Sequence, residues 1–276
     1  GAATTALTGE ACTKYGIHYG YDTHALPVGT ATAIVKEGGD SWYFITADYA
    51  FGHALQDNTS EVVEKLGGTV AGSSDVPLAS TDFSSYLLQA QSSGAKVIAL
   101  ANAGQDTVNS IKQANEFGIV AGGQQLAGML VLISDVKSLG TSVAEGLNFT
   151  SAWYWNHDEE SRAWKEKYME YSGGAAPTFP HAADYSLTLA YLKAIEAAGT
   201  DESDAVREEL GKMKIDDFFA KGGSIRKDGL LVHDMYLLRV KDGNEDPWDV
   251  AEVVRSIPGE EAYFSLPDGG CAMAQE

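Results

Sequence analysis

Trp42-Tyr43-Phe44-Ile45-Thr46 is the stretch of sequence that decides the fold. This short run of aromatic and β-branched residues is typical of a buried strand. A helix is predicted after it, from about Gly52 to Leu66, where Gly67-Gly68 would end it. Thr69-Val70-Ala71-Gly72 is predicted to be the next strand. A strand, a helix and a second strand in this order indicate a parallel pair joined by a crossover helix.

The same alternation continues through most of the chain. Further strands are predicted at residues 96–100, 125–132, 145–154 and 235–240, with a strand and turn at 222–229 and a turn at 241–244. Helices are predicted at residues 82–92, 106–117, 134–139, 159–171, 181–198 and 204–213. Strands alternating with helices of this length imply an α/β fold with a parallel sheet covered on both faces.

Composition and charge narrow the classes of function. The chain has 276 residues, of which 44% are hydrophobic, and this length suits two lobes better than one. A net charge of −20 argues against a nucleic-acid partner, because phosphates attract a surplus of Lys and Arg. It also argues against docking on anionic lipid by charge alone. The first residues, Gly1 to Leu7, lack the basic start and apolar centre of a signal peptide, which is compatible with a signal removed on export.

Sequence motifs of catalysis and metal binding are missing from the chain. It contains no G-x-S-x-G elbow, Walker A loop, G-x-G-x-x-G fingerprint or H-E-x-x-H pair, so we predict neither an enzyme nor a bound cofactor. His18 and His24 lie close in sequence, but no Cys or carboxylate stands at metal-ligand spacing, so no metal site is predicted. Two free thiols and a disulfide both remain open for Cys12 and Cys271.

A family resemblance starts from Thr46-Ala47-Asp48-Tyr49-Ala50-Phe51-Gly52, which follows a predicted strand and opens a predicted helix. It resembles the D-x-Y-x-Y/F-G turn of type I periplasmic binding proteins, the branched-chain amino-acid binding protein family. Other matching segments, in family order, are Ala6-Leu7-Thr8-Gly9, residues 82–90, 94–98, 128–130 and 146–147, and Asp228-Gly229 with His233-Asp234-Met235-Tyr236. The ordered set covers nearly the whole chain, which is also similar to the subgroup that takes up aromatic or other hydrophobic carboxylates.

The resemblance implies a two-lobed fold of parallel sheets flanked by helices. Residues 1–39 and 151–213 would form the N-terminal lobe, and residues 40–150 and 214–276 the second lobe with a C-terminal tail. In the family, the segment like Gly1-Ala2-Ala3-Thr4-Thr5 follows several βα units, so we expect the first lobe to be incomplete. Either the chain is a piece of a longer protein, or its first lobe is built differently. Cysteines at comparable places in related chains imply a Cys12–Cys271 disulfide.

The resemblance implies the substrate-binding component of an ABC importer in the periplasm. Such a protein captures a small carboxylate ligand by closing two lobes around it and delivers it to a permease in the inner membrane. We expect a monomer, since it diffuses to its partner. A ligand-sensing module of a receptor and an uncharacterised enzyme are the alternatives from other classes.

The resemblance also implies which residues contact the ligand. Ala3 and Thr4 match a loop that binds a carboxylate through backbone N–H and hydroxyl groups. Tyr49 and Phe51 match an aromatic turn that walls the pocket from the opposite lobe. Further contacts are expected from Asn102, Ala103, Met129, Leu130, Tyr154, His181, Asp184 and Tyr185. The alternative role is an ordinary turn for Ala3 and Thr4, core packing for Tyr49, Phe51 and Tyr154, and helix capping for Asp184.

One departure from the family pattern bears on the ligand class. Amino-acid binders of the family carry an acidic residue for the ligand's ammonium group, and that place falls at or near Leu130. A leucine cannot pair an ammonium, and burying an unpaired ammonium is costly. An aromatic acid of the benzoate or cinnamate type is therefore the preferred ligand. A branched-chain amino acid is the alternative, with Asp184 as the ammonium partner.

Overall fold

The computed structural model describes residues 1–241 and 246–274, so most of the turn predicted at 241–244 lies outside the described residues. The strands are β1 Ser41–Ala47, β2 Thr69–Val76, β3 Val97–Ala101, β4 Gln125–Gly128, β5 Asn148–Ser151, β6 Lys214–Ile215, β7 Gly223–Ile225, β8 Leu231–Val232, β9 Met235–Val240 and β10 Ala251–Ile257. The helices are α1 Ala25–Lys36, α2 Ala50–Lys65, α3 Ser84–Ser92, α4 Gln105–Glu116, α5 Ile133–Leu139, α6 Thr141–Ala144, α7 Glu159–Ser172, α8 Phe179–Ala198, α9 Ser203–Lys212 and α10 Gly259–Ala262, with 3-10 turns at Thr5–Thr8 and Ala272–Ala274.

The chain forms two compact units, each assembled from separate segments. The first unit comprises residues 1–22, 152–235 and 256–276, and the second comprises residues 23–151 and 236–255. The chain therefore crosses from one unit to the other after residues 22, 151, 235 and 255. Within the described residues, no helix is long and apolar enough to cross a membrane.

A seven-stranded sheet in the order β10-β9-β5-β4-β3-β1-β2 forms the second unit. Strands β1 to β5 pair in parallel, whereas β9 pairs antiparallel with β5. Consecutive residues Trp42 to Ala47 of β1 and all of β3 are buried, so helices cover both faces of the central strands. The predicted parallel sheet flanked by helices is confirmed.

Helix α1 is the main element that the sequence did not predict. It packs against α2 and β5, and the Thr30 hydroxyl lies 2.8 Å from that of Thr150 on β5. Leu26 and Ile34 of this helix are fully buried. This packing places residues 23–39 in the second unit, whereas residues 1–39 were all predicted to lie in the N-terminal lobe.

The first unit contains the helices α7, α8 and α9 and a small antiparallel sheet in the order β6-β7-β8. Residues 214–235 lie in this unit, although residues 214–276 were predicted to belong to the second lobe. The physical reason is a set of contacts with α9. Its Arg207 donates hydrogen bonds to the carbonyl oxygens of Arg226 and Lys227 at 3.1 and 3.3 Å, and β7 packs on the helix.

The last described residues are also tied into the first unit. Cys12 and Cys271, which are 259 positions apart in sequence, form a disulfide with Cα atoms 5.7 Å apart. Arg226 donates 2.6 Å to the Phe264 carbonyl and pairs through two nitrogens with Asp228, which is only 1% exposed. A bidentate pair of an arginine with a carboxylate is stabilised by its hydrogen-bond geometry as well as by charge. The tail is therefore a structural part of this unit.

Gly229 permits the close approach of two distant segments. Its φ is +88°, and a Cβ placed there would lie 2.1 Å from the carbonyl oxygen of Gly16. Two backbone hydrogen bonds join the segments: the His18 N–H donates to the Gly229 carbonyl at 2.9 Å, and the Leu231 N–H donates to the His18 carbonyl at 3.0 Å. Any side chain at position 229 would push these segments apart.

Several predicted strands are shorter than expected. The strand predicted at 125–132 ends at Gly128, because Met129 turns the chain towards α5, and the strand predicted at 145–154 is reduced to β5. Strand β10 was not predicted, and five of its seven residues are exposed. Such a strand lies at a sheet edge and lacks the alternation that would mark it in the sequence.

We predict that acidification destabilises the protein through His24, which precedes α1 and is 8% exposed. Burial, and then the charge of Lys65, lowers the pKa of His24 to about 4 from an ordinary value of 6.5. The unfolded chain therefore binds a proton more readily, so stability is full above pH 6.5 and falls as the pH drops towards 4. The loss should reach about 3 kcal/mol.

Urea unfolding of the wild type and of His24→Gln between pH 4 and 7 measures this dependence. The variant should show a shallower loss of unfolding free energy, with His18 and His233 supplying the remainder, since burial lowers the pKa of both. His53→Gln, which removes an imidazole that is 43% exposed, is the control. Identical pH profiles in the wild type and His24→Gln would contradict the prediction.

Candidate functional site

The carboxyl ends of the parallel strands define the candidate site in the second unit. Strands β1, β3 and β4 end at Ala47, Ala101 and Gly128, and parallel strands bring these ends to one edge of the sheet. Open α/β sheets place their ligands at this edge. The predicted contacts of this unit follow the three strands directly: Tyr49 and Phe51, Asn102 and Ala103, and Met129 and Leu130.

The aromatic turn after β1 presents two rings side by side. Tyr49 precedes α2 and donates its backbone N–H to the Ala47 carbonyl at 2.8 Å. The centroids of the Tyr49 and Phe51 rings are 5.7 Å apart, and Tyr49 is 41% exposed. Partial burial, and then the charge of Asp106, raises the pKa of Tyr49, so its hydroxyl keeps its proton at neutral pH. The turn thus offers an apolar wall with one hydroxyl donor.

Gly52 makes this turn sterically feasible. A Cβ at this position would lie 2.0 Å from the carbonyl oxygen of Ala47, at the end of β1. Only glycine lets the first turn of α2 lie so close to the strand it follows. The glycine of the turn Asp48-Tyr49-Ala50-Phe51-Gly52 therefore has a packing function that sets the positions of the two aromatic rings.

Asn102 follows β3 but directs its side chain inward. Its amide nitrogen donates to the Ser110 hydroxyl at 3.1 Å, and its oxygen accepts from the Thr107 hydroxyl at 2.7 Å. Asn102 is 1% exposed, and these two partners lie in the first turns of α4. Its side chain holds the loop against the helix, which leaves the half-buried Ala103 and the backbone of the loop for a ligand.

The residues after β4 differ in what they contact. Met129 is fully buried, and its sulfur lies 3.4 Å from the Thr59 hydroxyl of α2. Met129 packs in the core, whereas a ligand contact was predicted for it. Leu130 is only half-buried. An apolar side chain, not a carboxylate, therefore stands at this point of the sheet edge.

The other predicted contacts belong to the first unit and begin at its N-terminal segment. Ala3 is buried, and the Thr4 hydroxyl accepts the Ala6 backbone N–H at 3.3 Å at the start of a 3-10 turn. His18 lies 2.9 Å through Nε2 from the Ala2 carbonyl. Because burial lowers the pKa of His18, the ring is neutral and its Nε2–H donates to that carbonyl. The Ala3–Thr4 loop is thus anchored on both sides.

Tyr154 is buried in an aromatic environment just after the chain enters the first unit. It is 2% exposed, its ring lies 5.7 Å from that of Trp155, and its carbonyl accepts from His157 Nδ1 at 2.6 Å. The Lys165 ammonium stands 4.2 Å from the Trp155 ring centroid, within the range of a cation–π interaction. The sequence did not reveal this neighbouring cation.

The three residues predicted at the start of α8 have different roles. His181 completes a capping box, in which its Nδ1 accepts from the Thr178 backbone N–H at 3.2 Å and lies 2.8 Å from the Thr178 hydroxyl. Capping was the alternative considered for Asp184, but Asp184 is exposed and lies beyond the first turn. Tyr185 is 48% exposed, and its ring lies 5.5 Å from Trp164 and 5.8 Å from Phe218.

An aromatic cluster behind Tyr185 was missed at the sequence level. Trp164 and Phe218 stack with centroids 4.3 Å apart, and Trp153 meets both rings edge-on. These residues are far apart in sequence, and no local pattern indicates that they meet. Among residues 1–241 and 246–274, no group of three or more His, Cys, Asp or Glu is arranged to hold a metal ion.

Comparison with known proteins identifies the class. A family model described as "Periplasmic binding protein" matches residues 1–245, and the chain therefore belongs to the periplasmic binding protein family. A periplasmic binding protein from Burkholderia mallei has the same fold, with 51% identity, a TM-score of 0.95, and coverage of 99% of this chain and 72% of that one.

Two more relatives carry more specific names. A branched-chain amino-acid ABC transporter periplasmic ligand-binding protein from Burkholderia xenovorans LB400 is 36% identical, with a TM-score of 0.89, and 99% of this chain and 73% of that chain are covered. The Leu/Ile/Val-binding protein homolog 6 of Brucella melitensis is 28% identical over 216 residues, which are 76% of this chain and 55% of the relative. The chain thus spans about half the length of the curated relatives that it matches.

We predict that Asn102→Ala destabilises the second unit. The change leaves the hydroxyl groups of Thr107 and Ser110 without their buried partner, which should cost about 1–3 kcal/mol. Urea unfolding measures the loss. Asn115→Ala removes an exposed amide that donates to the Val143 carbonyl at 3.4 Å, and should cost less than about 0.5 kcal/mol. Equal losses in the two variants would rule out a special role for Asn102.

Proposed function

We propose that the chain is the substrate-binding part of an ABC importer and captures a small hydrophobic or aromatic carboxylate. It acts in the periplasm as a monomer, closes its two lobes around the ligand and presents the loaded form to a permease in the inner membrane. Membership of the periplasmic binding protein family supports this class of function. The proposal involves binding without turnover, so the ligand is expected to be recovered unchanged.

The carboxylate end of the ligand is assigned to the loop of Ala3 and Thr4. The hydrogen bond from Ala6 uses a lone pair of the Thr4 hydroxyl and not its proton, so this hydroxyl is suited to donate to an anion. Neutral donors fix the orientation of a carboxylate without a buried cation. The anchor from His18 to Ala2 supports the assignment because it orders the loop before the ligand arrives.

The apolar end of the ligand is assigned to Tyr49, Phe51 and Leu130. The observation that carries this choice is the half-buried leucine where the family resemblance places an acid in amino-acid binders. A ligand ammonium beside Leu130 would lose its hydration and gain no partner. Two adjacent aromatic rings favour a planar apolar ligand, since rings pack well against rings. A benzoate-like or cinnamate-like acid meets both conditions.

A branched-chain amino acid is the second candidate ligand. Two relatives, 36% and 28% identical, carry the names of a branched-chain amino-acid transporter protein and a Leu/Ile/Val-binding protein homolog. The exposed carboxylate of Asp184 is the group proposed to pair the ammonium in that case. The two candidates differ in one chemical feature, the ammonium group, and ligand screening separates them.

A thermal-shift screen of the chain with benzoate, cinnamate, leucine and valine tests the proposal. A ligand at 100 times its Kd should stabilise the folded state by about 2.7 kcal/mol. Stabilisation by benzoate or cinnamate, with neither acid altered on recovery, is the expected result. Stabilisation by leucine or valine alone would keep the transport function and replace the ligand class. A ligand consumed during incubation would favour an enzyme.

Leu130→Glu should reverse the preference between the two classes. The new carboxylate would lose its hydration against the apolar ring of an aromatic acid but would pair the ammonium of leucine, so affinity for benzoate should fall about tenfold while affinity for leucine rises. Titration calorimetry measures both. Leu130→Met, which keeps an apolar side chain of similar volume, is the control and should bind both ligands as the wild type does. If Glu and Met have the same effect, position 130 does not contact the ligand.

A further inference from the structure

His233 is a buried histidine to which the proposed function assigns no role. It is 3% exposed, and it lies two residues before the chain leaves the first unit after Met235. Its Nε2 lies 2.9 Å from the carbonyl oxygen of Gly20, and its Nδ1 lies 2.8 Å from the carbonyl oxygen of Asp234. Gly20 in turn lies two residues before the crossing after Asp22. A neutral ring carries one N–H, and its bond to Gly20 joins the segment of His233 to the segment of Gly20.

Tyr263 adds a third segment to the same group. Its hydroxyl lies 2.9 Å from His233 Nε2, 3.3 Å from the Gly20 carbonyl and 3.3 Å from the Met235 sulfur. Tyr263 is 4% exposed and stands at the end of α10, shortly after the chain re-enters this unit at Ser256. The Gly259 backbone N–H donates to the Asp234 carboxylate at 3.1 Å, so a second bond joins the same two segments.

The surroundings of His233 keep this arrangement rigid. Its ring lies 4.9 Å from that of Phe219, and a Cβ at Gly259 would stand 2.8 Å from the His233 carbonyl oxygen. Burial lowers the pKa of His233, against weaker opposite effects of the Gly20 and Asp234 carbonyls and the carboxylates of Asp234 and Asp217. The ring is thus neutral at neutral pH, and with its hydrogen on Nε2 it donates to Gly20.

We propose that His233 and Tyr263 form a positioning anchor, which fixes three of the four crossing segments to the first unit through one shared hydrogen-bond group. The segments are residues 18–22, 233–235 and 256–263. A carrier that closes on its ligand needs these segments fixed on one side, so that bending is confined to the crossings themselves. The anchor acts on ligand capture through the crossings, and this part rests on the proposed function.

Hydrogen exchange of the backbone amides tests the anchor without any ligand. Tyr263→Phe removes the hydroxyl alone, and His233→Leu removes both ring nitrogens. In each variant, exchange should accelerate in all three segments together, because all three share the hydrogen-bond group from which the variant removes a member. Tyr43→Phe is the matched control, since it removes a buried hydroxyl that bonds Ser73 and Ser74 in the second unit. Exchange that rises in only one segment, or that rises equally in the control, would overturn the anchor.

Affinity supplies the second measurement, with benzoate and leucine as probes. Tyr263→Phe and His233→Leu should raise the Kd of the bound probe about tenfold, whereas Tyr43→Phe should leave it unchanged at a comparable loss of melting temperature. His233→Gln, which retains a side-chain N–H, should recover part of the affinity. An unchanged Kd with faster exchange in all three segments would overturn the effect on capture. If the wild type binds neither probe, the proposed ligand classes fail, and the exchange result still decides the anchor.

Discussion

The parallel pairing of β1 with β2 and β3 is the constraint on which the rest of the second unit depends. A parallel strand cannot return through a tight turn, so each strand must be followed by a helix that packs back onto the sheet. The consequence is that Tyr49, Asn102 and Leu130, separated by up to 81 positions, all follow strand ends on the same edge. The topology of the sheet therefore brings these three positions to one edge, whatever side chains they carry.

The sequence predicted those elements whose burial produces a recognisable pattern of apolar residues along the chain. β1 and β3 are runs of apolar residues buried on both faces, and their identification needed no tertiary information. Helix α1 has no recognisable helical pattern in the sequence, because Pro27, Gly29 and Thr30 interrupt it. Most of its residues are buried, so the alternation of an apolar and a polar face that marks a surface helix is absent. The boundaries between the units could not be predicted either, because they depend on contacts of α1 with β5 and of α9 with β7, which join segments far apart in sequence.

The candidate site was predicted less completely than the fold, for a physical reason. Sequence position indicates that Asn102 and His181 lie near strand and helix ends, but it does not indicate where their polar atoms point. Both side chains form hydrogen bonds within the protein, Asn102 with Thr107 and Ser110 and His181 with Thr178. A buried polar group without a partner is costly, so such residues more often order a loop than remain available for a ligand.

The first unit faces a different problem, because three separate chain segments must be held together. Its bonds between segments are correspondingly specific: the Cys12–Cys271 disulfide, the Arg226 bond to the Phe264 carbonyl, and the His233–Tyr263 group. Each of these bonds closes a long loop. Interactions between residues close in sequence cannot offset the conformational entropy that is lost when such a loop closes. The Ala3–Thr4 loop, which is proposed to bind the ligand, is held locally by the contact of His18 Nε2 with the Ala2 carbonyl at 2.9 Å. The backbone of His18 is bonded in turn to Gly229 and Leu231, so under the proposed function the capture of a ligand near the start of the chain depends on residues far along it.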